Sequence, residues 1–407
     1  MIRTHFVPCH LPRALADRLN AESGRVYSRV LVNHYRVYRR NRHWLSVWDA
    51  MKLDDLAGKD DPRLLHAHSS DAAQQAFYKA CKTAKANRRA RARYPTRRPK
   101  YRTTMWKNTG IRRRDNSLLL SLARGQEPIR VRLPALFPSG QVVETRLVYD
   151  KVGRRYEWHL VVNDGREPPV APGVNVAALD LGEVHPAAAT DGQESVVFSA
   201  RELRSVKQYG HKRWAKLQRL QSNKVKGSRQ WKKLQRRKTR FAAQQKRRIR
   251  DITHKVSRAV VDWAVQRKVG TLAIGDVRDV ADGKRLSTKS QQKVGSWSHG
   301  IMRQYVNYKA ESEGITTQLV GEAYSSQTCP VCGQRHKPTG RVYRCPACGF
   351  VGHRDGQVGA VNLLSRHVCG EVGKLKPPGI QKYRHPVQRG KRSRLDTAQV
   401  AWGGQSA

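Results

Sequence analysis

Acidic side chains are the scarcest chemistry in this 407-residue chain: 31 Asp and Glu stand against 80 Lys and Arg, a formal charge of +49 at pH 7. A compact domain with that imbalance repels itself, so a polyanionic partner is expected, either nucleic acid or an acidic membrane surface. Long apolar runs are also missing. No stretch approaches the roughly 20 apolar residues of a bilayer-spanning helix. The opening segment, MIRTHFVPCHLPRALADRL, lacks the apolar core of about 7–15 residues found in secretory signals. A cytoplasmic protein with no membrane partner is therefore the expectation. Cysteine is sparse, with seven residues of which four share one cluster, and this excludes the even disulfide framework of a small secreted domain. The 38% hydrophobic content still suffices for a buried core and argues against wholesale disorder. At about 100–200 residues per domain, two or three domains are expected.

Periodicity sets out the order of elements. IRTHFV reads as a strand. Val26, Tyr27, Val30, Leu31, Tyr35 and Tyr38 then recur at helical spacings of three and four. A second helix, DAAQQAFYKACKTAKANRRARAR, is expected to start behind Asp71 as its N-cap. The runs SLLLSL, IRVRLP, VETRLVYD and RYEWHLVVN alternate with a period near two, as in a small β-barrel or sheet. EPPVAPG at 167–173 reads as a linker. Beyond it come an apolar strand VNVAALD, a basic helical hairpin over 201–268 turning near Asn223–Ser228, the strand TLAIGDV, a helix around Ile301–Ser312 and the strand ITTQLVGE.

Two constellations carry chemistry. Cys329, Cys332, Cys345 and Cys348 form CxxC, twelve residues, CxxC, with Gly333 and Gly349 behind the second cysteine of each pair. That spacing suits a closed, structural four-sulfur Zn²⁺ site of the zinc-ribbon type, with no open position for water. The second set is acidic. Asp180, Asp276 and Glu322 close predicted strands, and Asp355 follows the second cysteine pair. Clustered carboxylates repel one another and persist where divalent cations neutralise them. Two Mg²⁺ ions about 3.5–4 Å apart could activate water and stabilise the leaving oxygen of a phosphodiester.

LDLG, SSQTCPVCG, CPACG and HRDGQVGAVNLLSR, with GRVYSRVLVNHY, AAQQAFYKA and TTMWKNTGI further upstream, resemble the TnpB family. These are transposon-encoded RNA-guided DNA nucleases related to compact type V CRISPR effectors. The resemblance implies an α/β multidomain protein. A β-barrel wedge (1–10 and 97–173) would be interrupted by a helical recognition lobe (11–96). A RuvC-type RNase H fold (174–324 and 351–370) would follow, with an inserted zinc ribbon (325–350) and a loose tail (371–407). It matches Asp180 to the first metal-binding aspartate and Asp355 to the last. Glu322 is preferred over Asp276 for the middle acid, because the family commonly has glutamate where Asp276 stands. Six residues separate Asp355 from Asn362, one more than in the family motif, and a slip in register there would remove Asp355 from the site.

The positive charge concentrates in two tracts, 82–114 with no acid and 201–258 with only Glu202 and Asp251. In the first, Tyr94, Tyr101 and Trp106 are interleaved with arginines, a pattern suited to neutralising phosphates and stacking on unpaired bases. By the resemblance, the second tracks an RNA–DNA heteroduplex, and Gln74, Gln75, Ser46 and Trp48 occupy places where a flanking DNA motif would be read. The polar segment 282–300 reads as a mobile loop near the cleft. The function expected is RNA-guided, divalent-metal-dependent DNA endonuclease with a single RuvC-like site. Its partners would be guide RNA and double-stranded DNA, as a monomer or homodimer with RNA, in the prokaryotic cytoplasm and on the nucleoid when DNA is bound. Two alternatives stay open: a nuclease-inactive RNA-guided DNA-binding protein acting as repressor or targeting subunit, and a plain zinc-ribbon RNA-binding protein.

Overall fold

The computed structural model describes residues 2–59, 63–87, 92–151, 153–278, 287–379 and 381–384. Parts of the first basic tract (88–91), of the expected mobile loop (282–286) and of the tail beyond 384 lie outside the described residues. The chain forms two compact units that meet in sequence at Glu167 and Pro168. No helix among the described residues is long and apolar enough to cross a membrane.

The first unit contains β1 (Ile2–Pro8), three helices α1 (Arg13–Asn41), α2 (Val47–Ala57) and α3 (Ala67–Ala86), and strands β2 (Thr104–Lys107), β3 (Ile111–Arg114), β4 (Ser117–Leu120), β5 (Ile129–Arg132), β6 (Gln141–Asp150) and β7 (Arg155–Asn163). Two antiparallel sheets result, in the orders β1-β7-β6-β2 and β3-β4-β5. Alternation along β7 sends Tyr156, Trp158, Leu160 and Val162 inward. There Trp158 meets Trp106 edge to face at 5.8 Å. The helices pack around Tyr27, Val30, Leu31, Phe77 and Cys81.

Two sequence expectations change here. The helix expected behind Asp71 begins at Ala67, because His66 supplies the cap through Nδ1, which accepts from the His68 amide at 3.3 Å. Trp106, expected to stack on bases, is fully buried and donates through Nε1 to the Ser121 carbonyl at 2.8 Å. Its indole belongs to the core.

The second unit is built on a six-stranded mixed sheet in the order β12-β11-β8-β9-β10-β15. Its strands are β8 (Asn175–Asp180), β9 (Ala187–Thr190), β10 (Ser195–Phe198), β11 (Val269–Asp276), β12 (Thr316–Gly321) and β15 (Gln381–Arg384). β12, β11 and β8 run parallel, and both faces are covered, which explains why VNVAALD and TLAIG read as unbroken apolar runs. Ala177, Leu179, Leu272 and Ile274 face one layer, made by α5 (Arg229–Gln266) and α7 (His299–Glu311), where Val256, Val260, Trp263, Met302 and Val306 are buried. Ala178 and Ala273 face the opposite layer, against Leu363 and Leu364 of α8 (Ala360–Cys369).

The basic region forms a helical hairpin of α4 (Arg201–Ser222) and α5, the latter capped by Ser228. Part of the expected mobile loop is helix α6 (Thr288–Gly295), capped by the Ser287 hydroxyl. The described part of the tail expected to be loose from 371 is tied down: Gly373 donates to Asn362, Lys374 donates to Ser365, and β15 adds to the sheet edge beside β10. The reason is that β10 would otherwise be an open edge with unpaired backbone groups. Trp263→Ala empties the largest side chain on the α5 layer. It should cost about 3–5 kcal/mol, read as a lowered thermal midpoint of the zinc-loaded protein.

Candidate active site

The strand alternation that builds the core also sorts the acids. Asp180 ends β8 one residue beyond Leu179, so it takes the face of Ala178, toward α8. Gly359, at the start of α8, would place a Cβ 2.5 Å from Asp180 Oδ2, so only glycine leaves room for that carboxylate. Glu322 follows β12 and folds over Gly275, where any Cβ would collide with Glu322 Oε1. Gly275 shares the face of Ala273, again toward α8. Asp276 is one residue further along β11 and falls on the opposite face. It pairs there with Arg278 at 2.5 Å and with Arg303 of α7 at 3.6 Å.

Electrostatics separates the same residues. Burial, then the charges of Glu322 and Asp355, hold the Asp180 carboxyl well above the usual range. Glu322 is pushed up to about 7, first by burial and then by Asp276. Its Oε1 is buried with no hydrogen-bond partner among the described residues. Asp276 is held low, chiefly by its bond from Arg278. Asp180 is thus repelled by both Glu322 and Asp355, and Glu322 by Asp276, while Asp276 and Asp355 are each paired with arginines. Asp180, Asp276 and Glu322 lie at the C-terminal ends of parallel strands, the usual place for a site in an α/β sheet.

Asp355 reaches this group through an irregular turn. Arg354–Gly359 winds as a π turn, with the Ala360 amide bonded to the Asp355 carbonyl five residues back. A π turn holds one more residue than an α turn, and this takes up the extra residue between Asp355 and Asn362. Asp355 is 5% exposed. Arg341 donates to both its oxygens at 2.8 and 2.9 Å. Asn362 is fully buried and ties α8 to the loop ahead of Cys329, donating to the carbonyls of Ser325 and Thr328, both at 2.7 Å.

The four cysteines converge with their sulfurs within 4.8 Å of one another, and the pairs Cys329–Cys348 and Cys332–Cys345 stand 3.6 and 3.5 Å apart. A tetrahedral Zn²⁺ with bonds of about 2.3 Å needs edges of about 3.8 Å, so the cluster is compatible with zinc. Gly333 and Gly349 sit at φ values of 74° and 73°, which a turn at each cysteine pair requires. β13 (Val342–Arg344), just before the second pair, and β14 (Val351–His353), just after it, form a two-stranded ribbon that leads directly into the Asp355 turn.

The candidate motif readers are not brought together. Gln74 is 1% exposed and donates to Asp54 and Asp55, tying α3 to α2. Gln75 contacts Met51 and Lys107, Ser46 caps α2, and Trp48 is 69% exposed. On α4 and α5, a groove of ≈ 670 Å³ is lined by residues including Tyr209, Phe241, Arg213, Arg237 and Arg240. Sequence reasoning missed Arg341 and His185, which adjoin Asp355, and the two glycines that admit the carboxylates. Only the HRD string and the histidine three residues after LDLG hinted at any of them.

A family model described as Cas12f1-like, TNB domain, matches residues 299–363, and one described as a probable transposase matches residues 159–281. A TnpB-like protein of Methanocaldococcus jannaschii is 26% identical over 141 residues, covering 34% of this chain and 49% of that protein. A CRISPR-associated endodeoxyribonuclease Cas12f1 of Sulfoacidibacillus thermotolerans is 31% identical over 111 residues, 26% of this chain and 25% of that protein. The chain thus spans about half the length, or less, of these curated relatives. A solved Cas12f1–sgRNA–target DNA complex superposes with a TM-score of 0.59 at 12% identity, covering 86% of this chain and 82% of that one, which shows a shared fold. The resemblance to TnpB-like and Cas12f1-like proteins is present in sequence and in fold alike.

The raised carboxyls set a pH dependence. Between about pH 4.5 and 7, the folded protein holds the Glu322 proton while the unfolded chain has released it. Stability from this group therefore falls as pH rises through that window. In calorimetry of zinc-loaded protein without other divalent ions, Glu322→Gln should raise the midpoint above wild type at pH 7.5 and close the difference at pH 4.5. An equal offset at both values would contradict the buried-carboxyl account.

Proposed function

We propose that this chain, which resembles TnpB and Cas12f1 proteins, is an RNA-guided, divalent-metal-dependent DNA endonuclease with one RuvC-like site formed by Asp180, Glu322 and Asp355. The observation that carries the reading is that Asp180, at the end of β8, lies close enough to Glu322 and to Asp355, from two other segments, for both charges to raise its carboxyl. One of their oxygens, Glu322 Oε1, is buried and unpartnered among the described residues, and their charges repel. A group of this kind fits divalent cations, because oxygen-only donors suit Mg²⁺ and the ion removes the repulsion. Bound there, such ions supply an activated water and stabilise the leaving oxygen of an in-line phosphodiester displacement.

Each side chain has a distinct task. Asp180 holds the centre, because Gly359 and its strand position fix its carboxylate between the other two acids. Glu322 reaches across Gly275 from the neighbouring strand. Asp355 is presented by the π turn. Asp276 points away and, through Arg278 and Arg303, steadies the opposite face. The four cysteines hold a structural Zn²⁺ whose ribbon runs into the Asp355 turn, so loss of zinc would loosen an acid of the site.

The rest of the chain fits the same reading. The division into a wedge (1–10 and 97–173), a recognition lobe (11–96), a RuvC-like domain (174–324 and 351–370) and a zinc ribbon (325–350) assigns the guide RNA and double-stranded target to the basic surfaces. Arginines of α4 and α5, with Tyr209 and Phe241 between them, follow phosphates and base faces of a heteroduplex by shape.

The test is cleavage of a plasmid matched to the RNA that co-purifies with the protein. Linearisation should require Mg²⁺, stop in EDTA and leave 5′-phosphate ends. Asp180→Ala and Glu322→Gln should each slow cleavage at least a hundredfold, equivalent to several kcal/mol of transition-state charge stabilisation. Asp276→Asn should slow it less than tenfold. Guide-dependent binding without cleavage would favour the nuclease-inactive reading, and cleavage that persists in Asp180→Ala would overturn the mechanism.

A further inference from the structure

Among the described residues, one group besides the cysteine cluster brings three metal-ligating side chains together: His185, His353 and Asp355, with a ligand atom of each within 4.8 Å of the others. They come from separate elements. His185 lies between β8 and β9, His353 ends β14, and Asp355 sits on the π turn. His185 and Asp355 are each 5% exposed. The two imidazoles are 5.4 Å apart between centroids, and the Tyr383 ring closes over them at 6.1 and 5.8 Å.

The atoms are disposed for a ligand. Nδ1 of His185 is buried and has no hydrogen-bond partner among the described residues, a state that costs free energy unless something supplies the missing bond. Nδ1 of His353 accepts long bonds from the amides of Asp355 and Gly356, at 3.3 and 3.2 Å. The one lone pair of the neutral ring is therefore on Nδ1, where an ion would bind in place of these two long amide bonds. Asp355 already has positive company: Arg341 at 2.8 and 2.9 Å and Arg354 Nε at 3.9 Å. The Arg341 side chain is 39% exposed and can leave for solvent without being stranded. A buried carboxylate needs a cation beside it, but an ion can take the place of this arginine.

We propose that His185, His353 and Asp355 form a binding site for a divalent transition-metal ion, which replaces Arg341 as the positive partner of Asp355. The inference deepens the nuclease reading and rests on it for the role of Asp355. It adds imidazole to a site that the carboxylates alone would make suited to Mg²⁺. Imidazole nitrogen favours first-row transition ions, while Mg²⁺ keeps to oxygen donors. One position of the site therefore discriminates by ligand chemistry, and Arg341, carried between the two cysteine pairs, guards it while no ion is bound.

Mn²⁺ is the probe, added to the zinc-loaded full chain without DNA and followed by pulsed electron paramagnetic resonance and by a binding titration. Wild type should show ¹⁴N coupling from imidazole on the bound Mn²⁺. His185→Gln should lose part of that coupling and bind at least tenfold more weakly, with zinc content and thermal midpoint retained. Arg341→Ala should bind more tightly than wild type, a gain that misfolding cannot imitate. Absence of nitrogen coupling, equal binding by His185→Gln, or weaker binding by Arg341→Ala would overturn the proposal. The nuclease reading is separable. Mg²⁺-dependent cleavage by a chain whose Mn²⁺ shows no nitrogen coupling would discard the histidine site and leave that reading standing. Nitrogen coupling in a chain that cleaves no matched DNA would do the reverse.

Discussion

Three carboxylates forced into one buried corner of a sheet are the interaction on which the rest of this structure depends. Asp180 is repelled by both Glu322 and Asp355, and the fold accommodates it by shape. Gly275 and Gly359 make the space, and strand alternation fixes which face each acid takes. The charges of Arg354 and Arg341 only partly offset the burial of Asp180, whereas Arg278 and Arg303 pair with Asp276 directly. Such an arrangement lowers the stability of the metal-free protein at neutral pH. It is the kind of local strain that functional sites retain when a bound cation relieves it.

The cysteine cluster and the acidic corner are parts of one mechanical unit. One cysteine turn precedes β13 and the other joins it to β14, and the last residue of that ribbon, His353, precedes Asp355 by two. Arg341 projects from the segment between the cysteine pairs and grips the Asp355 carboxylate. The cysteine cluster is thus linked to a proposed catalytic acid through a short stretch of backbone. The π turn completes the linkage by keeping Asp355 in place despite an extra residue.

Much of this was legible in the residues, and the failures have physical causes. The cysteine spacing announced the cluster because ligand geometry leaves few alternatives. The hairpin over α4 and α5 was legible because its apolar stripe and Ser228 cap obey helical rules. The choice between Glu322 and Asp276 could not be read from pattern. β8 and β11 are buried on both faces, so alternation of polarity, which normally reveals orientation, is absent from their sequences. The helix cap at His66 was hidden because Asp71 is the better cap by type alone. Trp106 misled because an aromatic among arginines looks the same whether it stacks on a base or fills a core, and only the opposing Trp158 decides. Gln74 misled in the same way, its amide being consumed by Asp54 and Asp55.

The central claim, that the acidic corner binds divalent cations, is tested most directly by the thermal midpoint of the zinc-loaded protein at pH 7 as Mg²⁺ is added. Any ion that binds the folded form alone must stabilise it in proportion to the logarithm of its concentration above Kd. The account predicts a midpoint that climbs with Mg²⁺ in wild type and stays flat in Asp180→Asn. A wild-type midpoint indifferent to Mg²⁺, or an equal climb in Asp180→Asn, would contradict it.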